Sequence, residues 1–514
     1  MPEYQDELET LQNGDTRPRI VSGMNRPIQY KPLGEQPKAV RRQEWMMSLL
    51  CLGMLAFGMG LALPAVTLNQ LTDPKEKIHL DKSEASWFAS VTTITCPLGS
   101  LLTAYVMDKI GRKRTFVLFN CIAIVSWALM ASAVQDNPET VFIQLMISRC
   151  LIGVAMGMAS SPGGVYGAEI SLPKIRSRLI LGSSLATASG VLAIYVLGYF
   201  IRSDWHLLAM VLLGLQITFV LLLIPVIETP SWLLSKGRHK EAKASLSYFR
   251  GLKTHETHDE VDAEFELLMK SINSGNQNER KKPFRKSLSL PEVYKPLLIM
   301  CGLFFFQQFS GIYVVVVYAV QIASEAGSSV DPILCAVLIG LARVLTTCLL
   351  GFILEKMGRR QAAMMSASGM AICMFLLGIS KYLQIPYFAA TVMIIYIVFS
   401  ALGLWTLPFF IAAEVFPQSV RGPCSGVIGF FVYVMAFLIL KAHPYLVDWM
   451  THSNVLIFYA AMSLFAVFYV YIFLPETKGK TLQEIEEYFR TGKQGVRKDV
   501  MEVEMQETFV RTKA

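Results

Sequence analysis

Asp108-Lys109-Ile110-Gly111-Arg112-Lys113 returns later in the chain as Glu355-Lys356-Met357-Gly358-Arg359-Arg360. Two further charged motifs return with it. Glu169 and Arg176 are echoed by Glu414 and Arg421, and Glu228-Thr229 by Glu476-Thr477. The offsets are 247, 245 and 248 residues, constant enough to mark one duplicated unit. Each copy stands where an apolar run meets a polar loop, so the duplicated unit belongs in a membrane.

Composition agrees. Of 514 residues, 53% are hydrophobic and 17% charged, too apolar for an ordinary soluble enzyme. The apolar residues gather into twelve runs of about 20, the first at 46–68 and the last at 454–474, each able to cross the roughly 30 Å hydrocarbon core. Backbone in lipid must pair within its own segment, so these runs are expected as helices. The expected fold is an all-α membrane protein with twelve transmembrane helices, arranged as two six-helix bundles with short cytoplasmic helices. In chain order this gives a disordered tail at 1–45, a first bundle at 46–227 and a linker at 228–294. A second bundle at 295–474 and a tail at 475–514 follow.

Most of the 47 Lys and Arg fall on the side of both termini, which the positive-inside rule makes cytoplasmic. A multi-pass protein of the plasma membrane is expected. The net charge of +8 follows from that rule and from anionic inner-leaflet lipid, so no nucleic-acid partner is needed. Residues 1–45 lack the apolar segment of a signal peptide. The nine cysteines sit in spans or, for Cys424, at a cytoplasmic span end, so no extracellular disulfide framework is expected.

The linker carries two helical stripes, Ala242, Leu246 and Phe249, then Val261, Phe265, Leu268 and Ile272. Gly479-Lys480-Thr481 lacks the earlier glycine of a phosphate loop, whose place is taken by Leu474, so no nucleotide partner is expected. Neither a nucleophile–base set nor a metal-ligand cluster stands out, so an enzyme, a cofactor and a metal are not expected. Two membrane units in one orientation are the architecture of a carrier whose halves rock around a central site.

The motifs name a family. Asp108-x-x-Gly-Arg-Lys, Arg149-x-x-x-Gly153, Tyr166-x-x-Glu169, Glu228-Thr-Pro230 and Gln307-Gln308-Phe-Ser-Gly311 occur in order. Gly358-Arg-Arg, Glu414-Val-Phe-Pro417, Arg421-Gly422 and Pro475-Glu-Thr-Lys-Gly479 follow them. Together, over residues 45–490, they resemble the sugar porter family of the major facilitator superfamily. The run at 228–237 looks most like insect facilitated trehalose transporter-like members. The resemblance implies the major facilitator fold and alternating access, with the lipid bilayer and a small polar solute, a sugar, as partners.

It also implies a cytoplasmic gate at Asp108, Arg112, Glu169, Arg176, Glu228, Glu355, Arg359, Glu414 and Arg421. The competing reading takes these as topology signals and helix-end charges. Ser177 and Ser231 replace the family's glycine and arginine, which predicts a weaker latch in the first half. Family members hold sugar hydroxyls with the amides matching Gln307 and Gln308; an interhelical packing bond is the other reading. Tyr318 matches an outer-gate tyrosine.

Around these, the expected binding positions are rebuilt. Tyr313 stands for an asparagine and Phe409 for a tryptophan, while Ser184 and Val432 replace two further polar residues. Arg343 stands for an eighth-span asparagine, about 18 Å into its helix and so near mid-membrane. An arginine there rarely faces lipid. It either faces the cavity, toward an anionic solute or sugar hydroxyls, or pairs with a buried acid as a brace. Lys441 reads as a snorkelling anchor and Trp45, Trp87 and Trp205 as interface belts.

Proton-coupled relatives place an acid in the first span opposite the arginine matching Arg149. Residues 46–68 contain no Asp, Glu or His. Facilitative uniport of a sugar, trehalose or hexose-like, is therefore expected. The alternatives are an organic-anion carrier using Arg343 and a solute-binding nutrient sensor with little transport.

Overall fold

The computed structural model describes residues 36–75, 79–133, 138–202, 204–252, 259–278, 288–327, 329–383, 385–416, 420–478 and 482–491. The first bundle runs through α1 (Pro37–Leu71), α2 (Lys82–Ile110), α3 (Arg112–Ala131), α4 (Pro138–Ala159), α5 (Pro162–Ile170), α6 (Pro173–Phe200) and α7 (Trp205–Leu222). The linker carries α8 (Pro230–Ser235), α9 (His239–Phe249) and α10 (Asp259–Asn278). The second bundle begins with α11 (Pro291–Phe309), α12 (Ile312–Val317), α13 (Ala319–Glu325) and α14 (Pro332–Lys356). It continues with α15 (Arg359–Leu383), α16 (Phe388–Leu402), α17 (Leu407–Val415), α18 (Arg421–Met450) and α19 (His452–Phe473), and α20 (Leu482–Thr491) follows. Twelve helical spans among the described residues are long and apolar enough to cross a bilayer.

Local chemistry starts and joins these helices. Asp81 and Glu84 form a reciprocal capping box at the start of α2, and Asp204 caps α7 by accepting the Leu207 N–H at 2.9 Å. Lipid offers little hydrophobic drive for helix association, so close backbone approach does the work. A Cβ on Gly58 would lie 2.1 Å from the Thr187 carbonyl oxygen of α6, and one on Gly157 2.0 Å from the Cys96 carbonyl oxygen of α2. Both glycines are there because nothing larger fits.

The first helix starts at Pro37, nine residues before the apolar run. Residues 37–45 are therefore helix, not the end of a disordered tail, and residues 1–35 lie outside the described residues. Partners far along the chain hold this polar turn. Arg42 donates to the carbonyls of Tyr248 and Leu252 at 3.0 and 2.8 Å, and Gln43 to that of Phe249 at 2.9 Å. The linker stripes face one another and the bundle: Ala242, Leu246, Phe249 and Val261 are buried, with Phe265 and Leu268 packed on them. The side chain of Ile272 lies outside the described residues.

The bundles meet along α2 with α18 and α6 with α14. At the end opposite the linker they are clasped. Ser86 Oγ donates to the Lys441 carbonyl at 2.9 Å, Lys441 Nζ donates back to Ser83 O at 3.3 Å and lies 4.3 Å from the Trp87 ring centre. Lys82 pairs with Asp448, and Arg202 with Asp331 at 2.6 Å. Lys441 and Trp87 thus join the two halves, a contact beyond the anchor and belt readings. Neither residue's sequence neighbours reveal the helix it will meet.

Candidate functional site

At the linker end the three repeated motifs converge twice. Glu228 reaches the start of α3, where its two oxygens accept the backbone N–H groups of Arg112 and Lys113 at 3.0 and 3.1 Å. Glu476 does the same at the start of α15, accepting from Arg359 and Arg360 at 2.9 and 3.2 Å. A helix N-terminus has unpaired N–H groups and a positive dipole end, so a carboxylate is its natural partner. The motif glycines make room. A Cβ on Gly111 would lie 2.3 Å from Glu228 Oε2, and one on Gly358 2.4 Å from Glu476 Oε2.

The arginine side chains add the third motif. Arg112 Nη2 donates to Glu169 Oε1 at 2.7 Å and its Nη1 lies 3.5 Å from Asp108. Arg359 Nη2 donates to Glu414 Oε1 at 3.1 Å. Arg176 and Arg421 take another role: each Nη2 donates to a carbonyl ending the preceding short helix, Ser171 O at 3.4 Å and Phe416 O at 3.2 Å. The Glu355 side chain lies outside the described residues. These bonds cross helices but stay within one bundle.

The copies differ at the threonine. Thr477 Oγ1 donates to Glu414 Oε2 at 2.6 Å, whereas the matching atoms of the first half, Thr229 Oγ1 and Glu169 Oε2, are buried without partners. Burial raises the Glu228 carboxyl above the usual carboxylate range, against the lowering effect of the Thr229, Arg112 and Lys113 backbone bonds and the Arg112 charge.

The second candidate site lies within the spans, where two helices break. Gly311 takes φ +86° between α11 and α12, a conformation that favours glycine. Ser310 Oγ caps the turn on Gln307 O at 2.7 Å, and the Tyr396 hydroxyl donates to Ser310 O at 3.0 Å. The second break, between α16 and α17, frees carbonyls that need donors. Gln307 Nε2 supplies one, donating to Leu404 O and, at 3.2 Å, to Trp405 O. Gln308 Nε2 donates to Gln307 Oε1 at 3.3 Å.

Trp405 organises the rest. The Arg343 guanidinium carbon lies 3.7 Å from its ring centre, and Tyr313 stacks on it at 5.2 Å with a 9° interplanar angle. From the first bundle, Tyr195 reaches over to donate to Val316 O at 2.7 Å. Gln307, Gln308, Tyr313 and Arg343 therefore come together. Phe409 is half exposed and packs on Phe304 at 4.9 Å. Tyr318 is buried nearer the clasp, its hydroxyl donating to Leu440 O at 3.1 Å. Arg343 has no carboxylate partner among the described residues, so the brace on a buried acid is not what holds it. Sequence reasoning missed Trp405; its placement in Gly403-Leu-Trp-Thr-Leu-Pro408, a helix-breaking run in a span, was the available signal.

Arg149 is buried in the first bundle. Its three nitrogens donate to Phe88 O, Gly60 O and Thr92 Oγ1 at 3.0, 2.7 and 3.2 Å. Carbonyls and a hydroxyl occupy it and, among the described residues, no acid.

Twelve apolar spans in two bundles, clasped to each other at one end and each latched internally at the other, define a membrane carrier of the major facilitator fold. Residues 46–489 match the family described as Sugar (and other) transporter, and the chain belongs to that transporter family. It is 28% identical to the facilitated trehalose transporter Tret1-2 homolog of Drosophila simulans, over 91% of this chain and 95% of that one. Identity to the facilitated trehalose transporter Tret1 of Aedes aegypti is also 28%, over 85% of this chain and 53% of the relative, so the chain spans about half the length of that protein. Among solved structures it resembles the inward open conformation of the E. coli xylose transporter XylE. The TM-score is 0.72 at 24% identity, covering 86% of this chain and 98% of that one. This last likeness bears on fold alone.

Proposed function

We propose that this chain is a facilitative uniporter for a sugar, trehalose or hexose-like, that works by alternating access in the plasma membrane with both termini cytoplasmic. The observation that carries this reading is the seam at Trp405. Amides from one broken helix bond the carbonyls freed at another beside an aromatic wall there, and Tyr195 of the first bundle reaches over to the same region. Sugars need hydrogen-bonding groups for their hydroxyls and apolar faces for their rings, and Gln307, Gln308, Tyr313 and Trp405 supply both.

The clasp closes the far side while the solute site lies in the second half, beside the point where Tyr195 of the first half reaches over, so rocking would open the site to one face and then the other. Arg149 supports uniport, because its nitrogens are taken by uncharged partners and no carboxylate among the described residues bonds it to trade protons. The trehalose-transporter relatives and the basic linker side support the substrate class and the orientation.

Reconstitution of the purified chain in liposomes tests this. Labelled trehalose or glucose should equilibrate at a rate insensitive to a pH gradient. Acceleration by inward protons would rule out uniport, and binding without flux would favour a sensor.

A further inference from the structure

Two buried arginines can be compared in this chain. Arg149 has every nitrogen engaged, which is how a structural arginine in a membrane is held. Arg343 does not. Its side chain is 3% exposed, its guanidinium donates no hydrogen bond among the described residues, and Nη1 is buried without a partner. The Trp405 ring beneath it relieves part of the cost of burying the charge. A desolvated cation with no counter-charge remains expensive, however, and an anion would offset that cost.

A second atom is open beside it. Gln308 Oε1 is buried without a partner. The two open atoms lie at the ends of one chain of contacts: Gln308 donates to Gln307, Gln307 to Trp405 O, and Arg343 lies over the Trp405 ring. One end is a cationic donor and the other an amide acceptor, and both are linked through Trp405, on which Tyr313 stacks. The complement is a solute with an anionic group, a hydroxyl that can donate, and an apolar ring face. A neutral sugar supplies the hydroxyl and the face but leaves the cation unanswered.

We infer that the central site selects a hydroxylated carboxylate, a sugar acid of the uronate class, with its carboxylate on Arg343 Nη1 and a hydroxyl donated to Gln308 Oε1. This rests on the carrier reading above and narrows its solute. Charge-assisted bonds to a desolvated guanidinium are strong, so the acid outcompetes its neutral parent. Because a uniported anion carries charge, its flux also responds to membrane voltage.

The test is uptake by liposomes holding the full chain, with labelled glucuronate, glucose and trehalose. Glucuronate should enter faster than glucose, an inside-positive potential should accelerate it, and unlabelled glucuronate should block glucose uptake better than glucose itself. Arg343→Gln should lower the ratio of glucuronate to glucose uptake about tenfold or more, with Arg343→Lys between the two. Competition on the wild-type chain needs no variant to fold. Glucose or trehalose uptake that glucuronate neither matches nor blocks would overturn the inference and leave the carrier reading standing. Glucuronate uptake that Arg343→Gln leaves at the wild-type ratio would overturn it too. Failure of all three solutes to move or to compete would count against both.

Discussion

Glu228 and Glu476 occupy equivalent places in the two halves: each carboxylate closes over the first two backbone N–H groups of the helix opened by the Gly-Arg motif of its own bundle. The repeated spacing of the sequence is thus a repeated bonding pattern. A glutamate after the last span of each half is tied to the start of that half's third span.

Removing either carboxylate leaves two helix-end donors without their partner. Glu228→Ala and Glu476→Ala should each cost about 1–3 kcal/mol, read as a lower melting temperature of the purified protein. A neutral result at both positions would show that solvent replaces the latch.

The halves differ at the threonines. Thr477→Val breaks a bond to the Glu414 side chain and should cost about 1–3 kcal/mol. Thr229→Val removes a buried hydroxyl that has no partner and should be close to neutral or stabilising. Equal losses at both sites would contradict the asymmetry.

Acid should act on Glu228 ahead of ordinary surface carboxylates. Burial raises its folded pKa above the unfolded value, so between the two values the folded chain binds more protons than the unfolded one. The ionised group therefore costs stability above the folded pKa, and that cost is relieved as pH falls through this window. Glu325 has the opposite sign. The hydrogen bond with His452, at 2.8 Å, lowers its carboxyl pKa, so its contribution holds above the unfolded value and is lost as pH falls through the folded one. Melting temperatures across mildly acidic pH should show Glu228→Gln and Glu325→Gln changing the slope in opposite directions.

Much of this was legible from sequence because it is local or repeated. Twelve apolar runs read as helices since lipid forbids other backbone arrangements, and the latch read as a unit since its three motifs recur at one offset. The start of α1 was not legible. Residues 37–45 are polar, and their helix is held by carbonyls at 248, 249 and 252, some 200 residues away. Arg343 was visible as a misplaced charge, but its partner was not. Trp405 comes to it only because α16 stops at Leu402 and the chain turns before α17. The role of Lys441 was hidden for the same reason, its contacts being on the other bundle.

Cross-linking across the clasp tests the rocking of the two halves most directly. Ser86 and Lys441 meet between α2 and α18, with Ser86 Oγ 2.9 Å from the Lys441 carbonyl oxygen. In a Ser86→Cys, Lys441→Cys chain reconstituted in liposomes, oxidation should abolish solute flux and reduction should restore it, because the far side must open in every cycle. Undiminished flux through fully cross-linked protein would contradict alternating access by these two bundles.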